Sequence, residues 1–227
     1  NEGSGGLRLE IGTGEDGSTV SSSIQMVLLF TLISLAPSIL IMMTSFTRIL
    51  VVLHFVRSAL GTQQTPPNQI LIGIALFLTF FIMGPVFSEI NTNAIKPLTA
   101  GVISQDEAID AAVDPIREFM MGQVHPKDLN LFLQISSNAD VDSYDDIPMT
   151  TVIPAFIISE LRAAFIIGFI IYIPFIIIDM VVASVLMAMG MMMLPPAMIS
   201  MPFKILLFVM VDGWGLLLGT LVKTFYT

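Results

Sequence analysis

The stretch Ala163-Ala164-Phe165-Ile166-Ile167-Gly168-Phe169-Ile170-Ile171-Tyr172-Ile173-Pro174-Phe175-Ile176-Ile177-Ile178 contains no Asp, Glu, Lys or Arg. Asp179 interrupts it once, and a second charge-free run then extends from Met180 to Phe203. Some 20 predominantly apolar residues are enough for a helix to cross a bilayer, and this block exceeds that. Strands of a membrane barrel alternate apolar and polar residues over segments of about ten, whereas these residues are apolar in succession. The block therefore reads as helix in lipid. Working outward, Gly17 to Thr47 and Ser58 to Ser88 are also free of charged side chains, which gives an all-α integral membrane protein.

Composition agrees. Of 227 residues, 55% are hydrophobic and 12% charged, against roughly 25% charged in a soluble domain. The mean hydropathy is +0.87. A formal net charge of -9 argues against nucleic-acid binding, and the absence of Cys rules out a disulfide scaffold or thiol chemistry. Between Glu89 and Thr150, eleven acidic residues face only Lys96, Arg117 and Lys127, so this segment holds nearly all of the net charge.

The chain thus divides into a flexible Gly/Ser-rich leader (1–23), a first hydrophobic helical hairpin (24–87), an acidic, partly helical insert (88–150) and a second hydrophobic hairpin (151–227). Pro66-Pro67 turns the first hairpin and Pro195-Pro196 the second, because each proline removes a helical hydrogen bond and clashes with the preceding turn. Bends are expected at Pro37, Pro115 and Pro174, and a last helix over Phe203 to Phe225. In the insert, Ser104-Gln105-Asp106-Glu107 forms a capping box. Ile109, Ala112, Val113, Ile116 and Met120 then follow at helical spacing. A second amphipathic helix starts at Pro126 with Leu129, Phe132 and Leu133 on one face, and Ser136 to Ile147 reads as a polar loop. A processed start at Asn1 would place the leader outside the cytoplasm. The positive-inside rule then puts the Arg48/Arg57 and Lys204 ends in the cytoplasm and the insert outside.

Several residues stand out against this background. Arg48, Asp179, Lys204 and Asp212 lie in or beside apolar stretches, where about 2.5–3.5 kcal/mol per charge demands a partner or water. They are either ion pairs that fix helix or subunit packing, or lining of an aqueous path. Asp179 and Asp212 could alternatively pair as an intramembrane aspartyl protease dyad. His54 and His125 are too few for a histidine metal cluster. Seven of 16 methionines fall between Met187 and Met201, with Met191-Met192-Met193 just before Leu194-Pro195-Pro196. They are apolar filler, or soft thioethers that plug a pore and yield. Gly215 and Gly219 would allow another helix to approach closely.

Thr44-Ser45-Phe46-Thr47-Arg48-Ile49, Ala59 through Gln69, Met191 through Pro196, and Pro202-Phe203-Lys204 through Val211-Asp212-Gly213-Trp214, in that order, resemble the FliP family of flagellar type III export proteins. The SctR-type injectisome proteins are similar. The resemblance covers Ile24 to the C-terminus. It implies a non-enzymatic, cofactor-free subunit of the export gate in the bacterial inner membrane, made with a cleaved signal peptide. Several copies, five by resemblance, would form a helical ring with FliQ and FliR, beside other export components, and pass unfolded flagellar proteins. The hairpins could be lifted partly out of the bilayer plane. Met191, Met192 and Met193 would be the gasket that limits leakage. Arg48, Asp179, Lys204 and Asp212 would serve subunit packing. The chain carries no phosphate-binding loop, so energy comes from elsewhere. An ion or small-solute channel or transporter is the alternative reading.

Overall fold

The computed structural model describes residues 26–27, 30–31, 33–35, 38, 41–62, 64–136, 147–191 and 193–226. The leader, Pro37, most of the Ser136–Ile147 segment and Met192 lie outside the described residues. By contacts the chain forms two units, 1–40 and 41–227. The described residues of the first are helical, with the apolar Met26, Val27, Phe30 and Ile33 exposed. Its Thr31 and Ser34 hydroxyls donate to the Val27 and Phe30 carbonyls one turn back, so even its polar groups satisfy themselves within the helix, as lipid requires.

The second unit is helical throughout its described residues. It comprises α1 (Phe46–Ala59), α2 (Asn68–Ile82), α3 (Gly84–Ile90), a π-helical turn (Asn91–Ile95), α4 (Lys96–Thr99), α5 (Gln105–Gln123), α6 (Pro126–Ile135), α7 (Met149–Ala188), α8 (Pro196–Met210) and α9 (Gly213–Lys223). Among the described residues α7 alone is long and apolar enough to cross a membrane. Two bent pairs, α2 with α3–α4 at 56° and α8 with α9 at 65°, qualify if each is taken as one span.

Helix α1 is the centre of the unit. Ile49, Val52, Leu53, Val56 and Ala59 recur at three- and four-residue steps and are wholly buried, so one face of α1 lies against α7 and α2. Fully burying an aliphatic side chain of this size contributes about 1.5–3 kcal/mol, which makes this the principal seam. It joins the two hydrophobic blocks to each other, and not merely each block to itself. The approach is closest at Gly168, where Phe55 occupies the space a Cβ would need.

The acidic insert docks by its apolar faces. Met120 and Leu129 pack with Met43, Val152, Ala155 and Phe156 in a second core, so α5 and α6 cover the N-terminal half of α7. The capping box forms as expected: the Ser104 amide donates to the Glu107 carboxylate at 2.8 Å, and Glu107 N–H donates to Ser104 Oγ at 3.3 Å. The Ser104 amide first, and then the Ser104 hydroxyl, which also donates to that carboxylate at 2.8 Å, hold the Glu107 carboxyl below the usual range.

Three expectations need correction. The buried face of α5 runs through Ala108, Pro115 and Met120, with Ile109 54% exposed. Of the expected stripe, Ile116 and Met120 do pack into the second core and Ala112 and Val113 are half-buried, so the face departs from it at Ile109. The helix itself runs through Pro115, as α7 runs for 40 residues through Pro154, Pro174 and Asp179, its other backbone bonds and flanking contacts offsetting the lost ones. The first run breaks at Met43-Thr44-Ser45, so that α1 begins only at Phe46. Finally, the last helix starts at Pro196 and is broken at Asp212, which adopts a left-handed conformation (φ 49°, ψ 51°).

Candidate functional site

At about 1.5 Å per residue, α7 spans roughly twice the hydrocarbon thickness of ~30 Å. Its two halves differ. Toward the N-terminus it carries Ser159 and Glu160 inside the packed unit, with Arg162 at its exposed edge. Beyond Ala164 it exposes Phe165, Ile166, Phe169, Ile170, Ile173, Ile177, Met180, Val181 and Val185.

Arg48 finds its partner in the N-terminal half. Its Nε donates to Glu160 Oε2 at 3.0 Å and its Nη2 to Glu160 Oε1, a two-pronged pair with Glu160 wholly buried. Nη2 also donates to Gln123 Oε1 at 2.9 Å, and Nη1 to the Thr224 carbonyl and Oγ1 at 3.1 and 3.2 Å. The guanidinium lies 4.0 Å from the centre of the Phe225 ring. Every edge of the fork is used, so the desolvation of both charges is offset by directed bonds. The cluster ties together α1, the end of α5, α7 and the segment after α9.

A second clamp joins the insert to α7. Asp128 accepts from Arg162 Nε at 3.1 Å, from Arg162 Nη2, and from Ser159 Oγ at 3.0 Å, while Ser159 Oγ accepts from the His125 amide at 2.9 Å. Burial pushes the Asp128 carboxyl up, but the hydrogen bonds from Arg162 and Ser159 and the nearby Arg162 and His125 outweigh it, leaving it below the usual aspartate range.

Asp179 and Lys204 meet each other. Lys204 Nζ donates to Asp179 Oδ2 at 2.6 Å, Ser200 Oγ donates to Oδ1, and the Lys204 side chain is 3% exposed. The Asp179 carboxylate is thereby committed to a cation, and Asp212 sits at the α8–α9 break with its carboxylate against Gly215. Arg48 and Arg57 lie at opposite ends of α1. The first is bound to the insert side, and the second bonds Asn68 and the Pro66 carbonyl at the α1–α2 turn.

Between α7 and α8 the connector presents methionines outward: Met189 is 59%, Met191 40% and Met193 98% exposed. Gly219 has open space where a Cβ would go. Among the described residues the nearest atoms to a Cβ at Gly215 are those of the Asp212 carboxylate, whereas Gly168 and Gly213 hold close approaches to Phe55 and Phe208. Glu160, Asp128 and Arg162 were missed as site residues. The available signal was Glu160-Leu161-Arg162 at the edge of an apolar helix, a pair of charges that must find partners.

Helical throughout its described residues, with one helix of membrane-crossing length and large apolar side chains left exposed along it, the fold is that of a helical membrane protein. The FliP family matches residues 29–221, and the chain belongs to that family. It is 59% identical over 217 residues to the flagellar biosynthetic protein FliP of Bacillus subtilis, covering 96% of this chain and 98% of that one. It is 53% identical to the FliP of Treponema denticola, over 91% and 77% of the two chains. It is 50% identical to that of Caulobacter vibrioides, over 96% and 82%. With this membership comes a role in flagellar type III protein export, as an apparatus component and not as an enzyme.

Proposed function

We propose that the chain is a pore-forming subunit of the flagellar export gate in the bacterial inner membrane. It assembles as several copies, five by family resemblance, in a helical ring with FliQ and FliR, through which unfolded flagellar proteins pass. The leader and the acidic insert face the outside. Met191, Met192 and Met193 form the gasket, and Gly219 on α9 is a contact for a neighbouring subunit.

The observation that carries this reading is the connector itself. Met189, Met191 and Met193 are exposed between two packed helices, with Met193 almost fully so. Thioethers on flexible stems exclude water and ions when they converge, and give way to polypeptides of varied shape. Support for a multi-subunit assembly comes from α7 to α9, where grooves of about 400 and 470 Å³ lined by aliphatic and aromatic side chains stand open in the single chain.

Converting all three methionines to Ala should raise ion leakage through the assembled gate while the assembly persists. An unchanged leak in an intact assembly rejects the gasket. Solute-specific flux through the chain without partner proteins would favour a small-solute channel instead.

A further inference from the structure

We propose that the open pocket at the α1–α2 turn, built around Arg57, is a site for the phosphate headgroup of an anionic membrane lipid whose acyl chains lie along the outward face of α2. This goes beyond the export reading and does not depend on the methionine connector.

Charge comes first. Ion pairs join Arg48 to Glu160, Arg162 to Asp128 and Lys204 to Asp179. Arg57 has no carboxylate partner among the described residues. No Asp or Glu occurs between Phe46 and Ser88, so neither α1, the turn nor α2 supplies one. The Arg57 side chain is half-buried, and its partners are all uncharged acceptors. Nη1 donates to the Pro66 carbonyl at 3.3 Å and to Asn68 Oδ1, and Nη2 donates to His54 Nδ1 at 2.9 Å. A guanidinium has five N–H donors. Three are thus engaged, which leaves the Nε proton and one on Nη2 without an acceptor among the described residues. The bonds aim the group but do not neutralise it, and a cation beside apolar helices is costly until an anion or water meets it.

The surroundings select the kind of anion. The pocket has a volume of about 410 Å³ and is lined by Arg57, Gln64, Pro67, Asn68 and Gln69, none of them acidic. Each carboxamide can donate from its NH2 group, and Asn68 keeps that donor because its Oδ1 is what accepts from Arg57. One guanidinium with several neutral donors around it matches the oxygens of a singly charged phosphodiester.

The neighbouring surface then selects a lipid. Ile70 follows Gln69 directly, and Ile70, Phe77 and Phe81 are exposed at spacings of seven and four residues, which puts them on one face of α2. A basic, polar pocket at the head of an exposed apolar stripe has the layout of a headgroup and its chains. A free anion would have no use for the stripe.

The purified gate complex, washed in detergent, tests this, with native mass spectrometry counting the phospholipid that each assembly retains. Added phosphatidylglycerol should be held in preference to phosphatidylcholine, whose headgroup carries its own cation. Gln64→Glu and Gln69→Glu place a carboxylate beside the phosphate and should each weaken retention about fivefold, whereas Gln64→Lys should strengthen it. Arg57→Gln should abolish it. If that variant fails to assemble because the turn has lost its bonds, the changes at the exposed Gln64 and Gln69 carry the test. Equal retention of the two lipids overturns the proposal, as does phosphatidylglycerol retention that is unchanged in every assembled variant. Excess inorganic phosphate should leave the lipid in place; if phosphate empties the site, its ligand is a free anion and the lipid assignment falls.

Discussion

Arg48 and Glu160, 112 residues apart, form a two-pronged pair with the carboxylate wholly buried and the guanidinium also bonded to Gln123 and Thr224. Removing one member leaves the other charge in the core. Glu160→Ala should therefore cost about 3–5 kcal/mol, while replacing both members by methionine should cost far less than either single change. Arg48→Lys keeps the charge but loses the fork, and should fall between. Thermal unfolding of the detergent-solubilised protein, followed by helical circular dichroism, reads the order. Equal losses in Glu160→Ala and the double variant would contradict it.

The Asp128–Arg162 clamp predicts an acid-sensitive insert. The folded Asp128 carboxyl lies below its unfolded value, so its contribution is complete above the unfolded pKa, near 3.9, and is lost as pH falls through the lower folded value. Docking of α6 should be indifferent to pH between neutrality and about 5 and should loosen only below the ordinary aspartate range. Hydrogen exchange of the Pro126–Ile135 amides measures it. In Asp128→Asn, protection should be lower already at neutral pH and should lack this acid step.

How much of this was legible beforehand depended on whether a feature is local. The apolar stretch after Ala163, the Ser104–Glu107 box and the proline-bounded start of α6 are written in neighbouring residues, and sequence reading finds them. The partner of Arg48 is not, because Glu160 lies at the border of its apolar segment and nothing nearby distinguishes it from an interfacial carboxylate. Asp212 misled for a related reason. Within an apolar pattern it reads as a charge inside one helix, whereas its left-handed backbone ends α8 and restarts the chain at 65° as α9. The same blindness applies to small residues: Gly215 and Gly219 have the conspicuous spacing, while Gly168 makes the tight contact.

That contact gives a third prediction. A Cβ at Gly168 would meet the Phe55 ring at 2.5 Å, in the seam between α1 and α7. Alanine is the better helix former, so an exposed glycine would gain stability from the change. Here overpacking should win, at about 1–3 kcal/mol destabilising. Phe55→Leu combined with Gly168→Ala should recover part of the loss, since the smaller side chain can withdraw. Additive losses in the pair, again by thermal unfolding, would mean that Phe55 is not the obstacle.

The α8–α9 break supplies the last. Asp212 holds a left-handed backbone that costs an ordinary L-residue about 1–2 kcal/mol but is accessible to Asp, Asn and Gly. Its carboxylate also sits over the first turn of α9, where the unpaired amides favour negative charge by about 0.3–1 kcal/mol. Gly215 makes room for it: a Cβ there would lie 2.5 Å from Asp212 Oδ2. Asp212→Val should then be the most damaging change, because it strains the backbone and removes the charge together. Asp212→Asn should lose only the charge contribution, and Asp212→Gly should offset that loss by relaxing the backbone. Gly215→Ala should cost a little in the parent, by displacing the carboxylate, and nothing in Asp212→Gly, where no carboxylate remains. A double-mutant cycle on thermal stability isolates this coupling; a Gly215→Ala penalty that persists in Asp212→Gly would place the clash on some other neighbour.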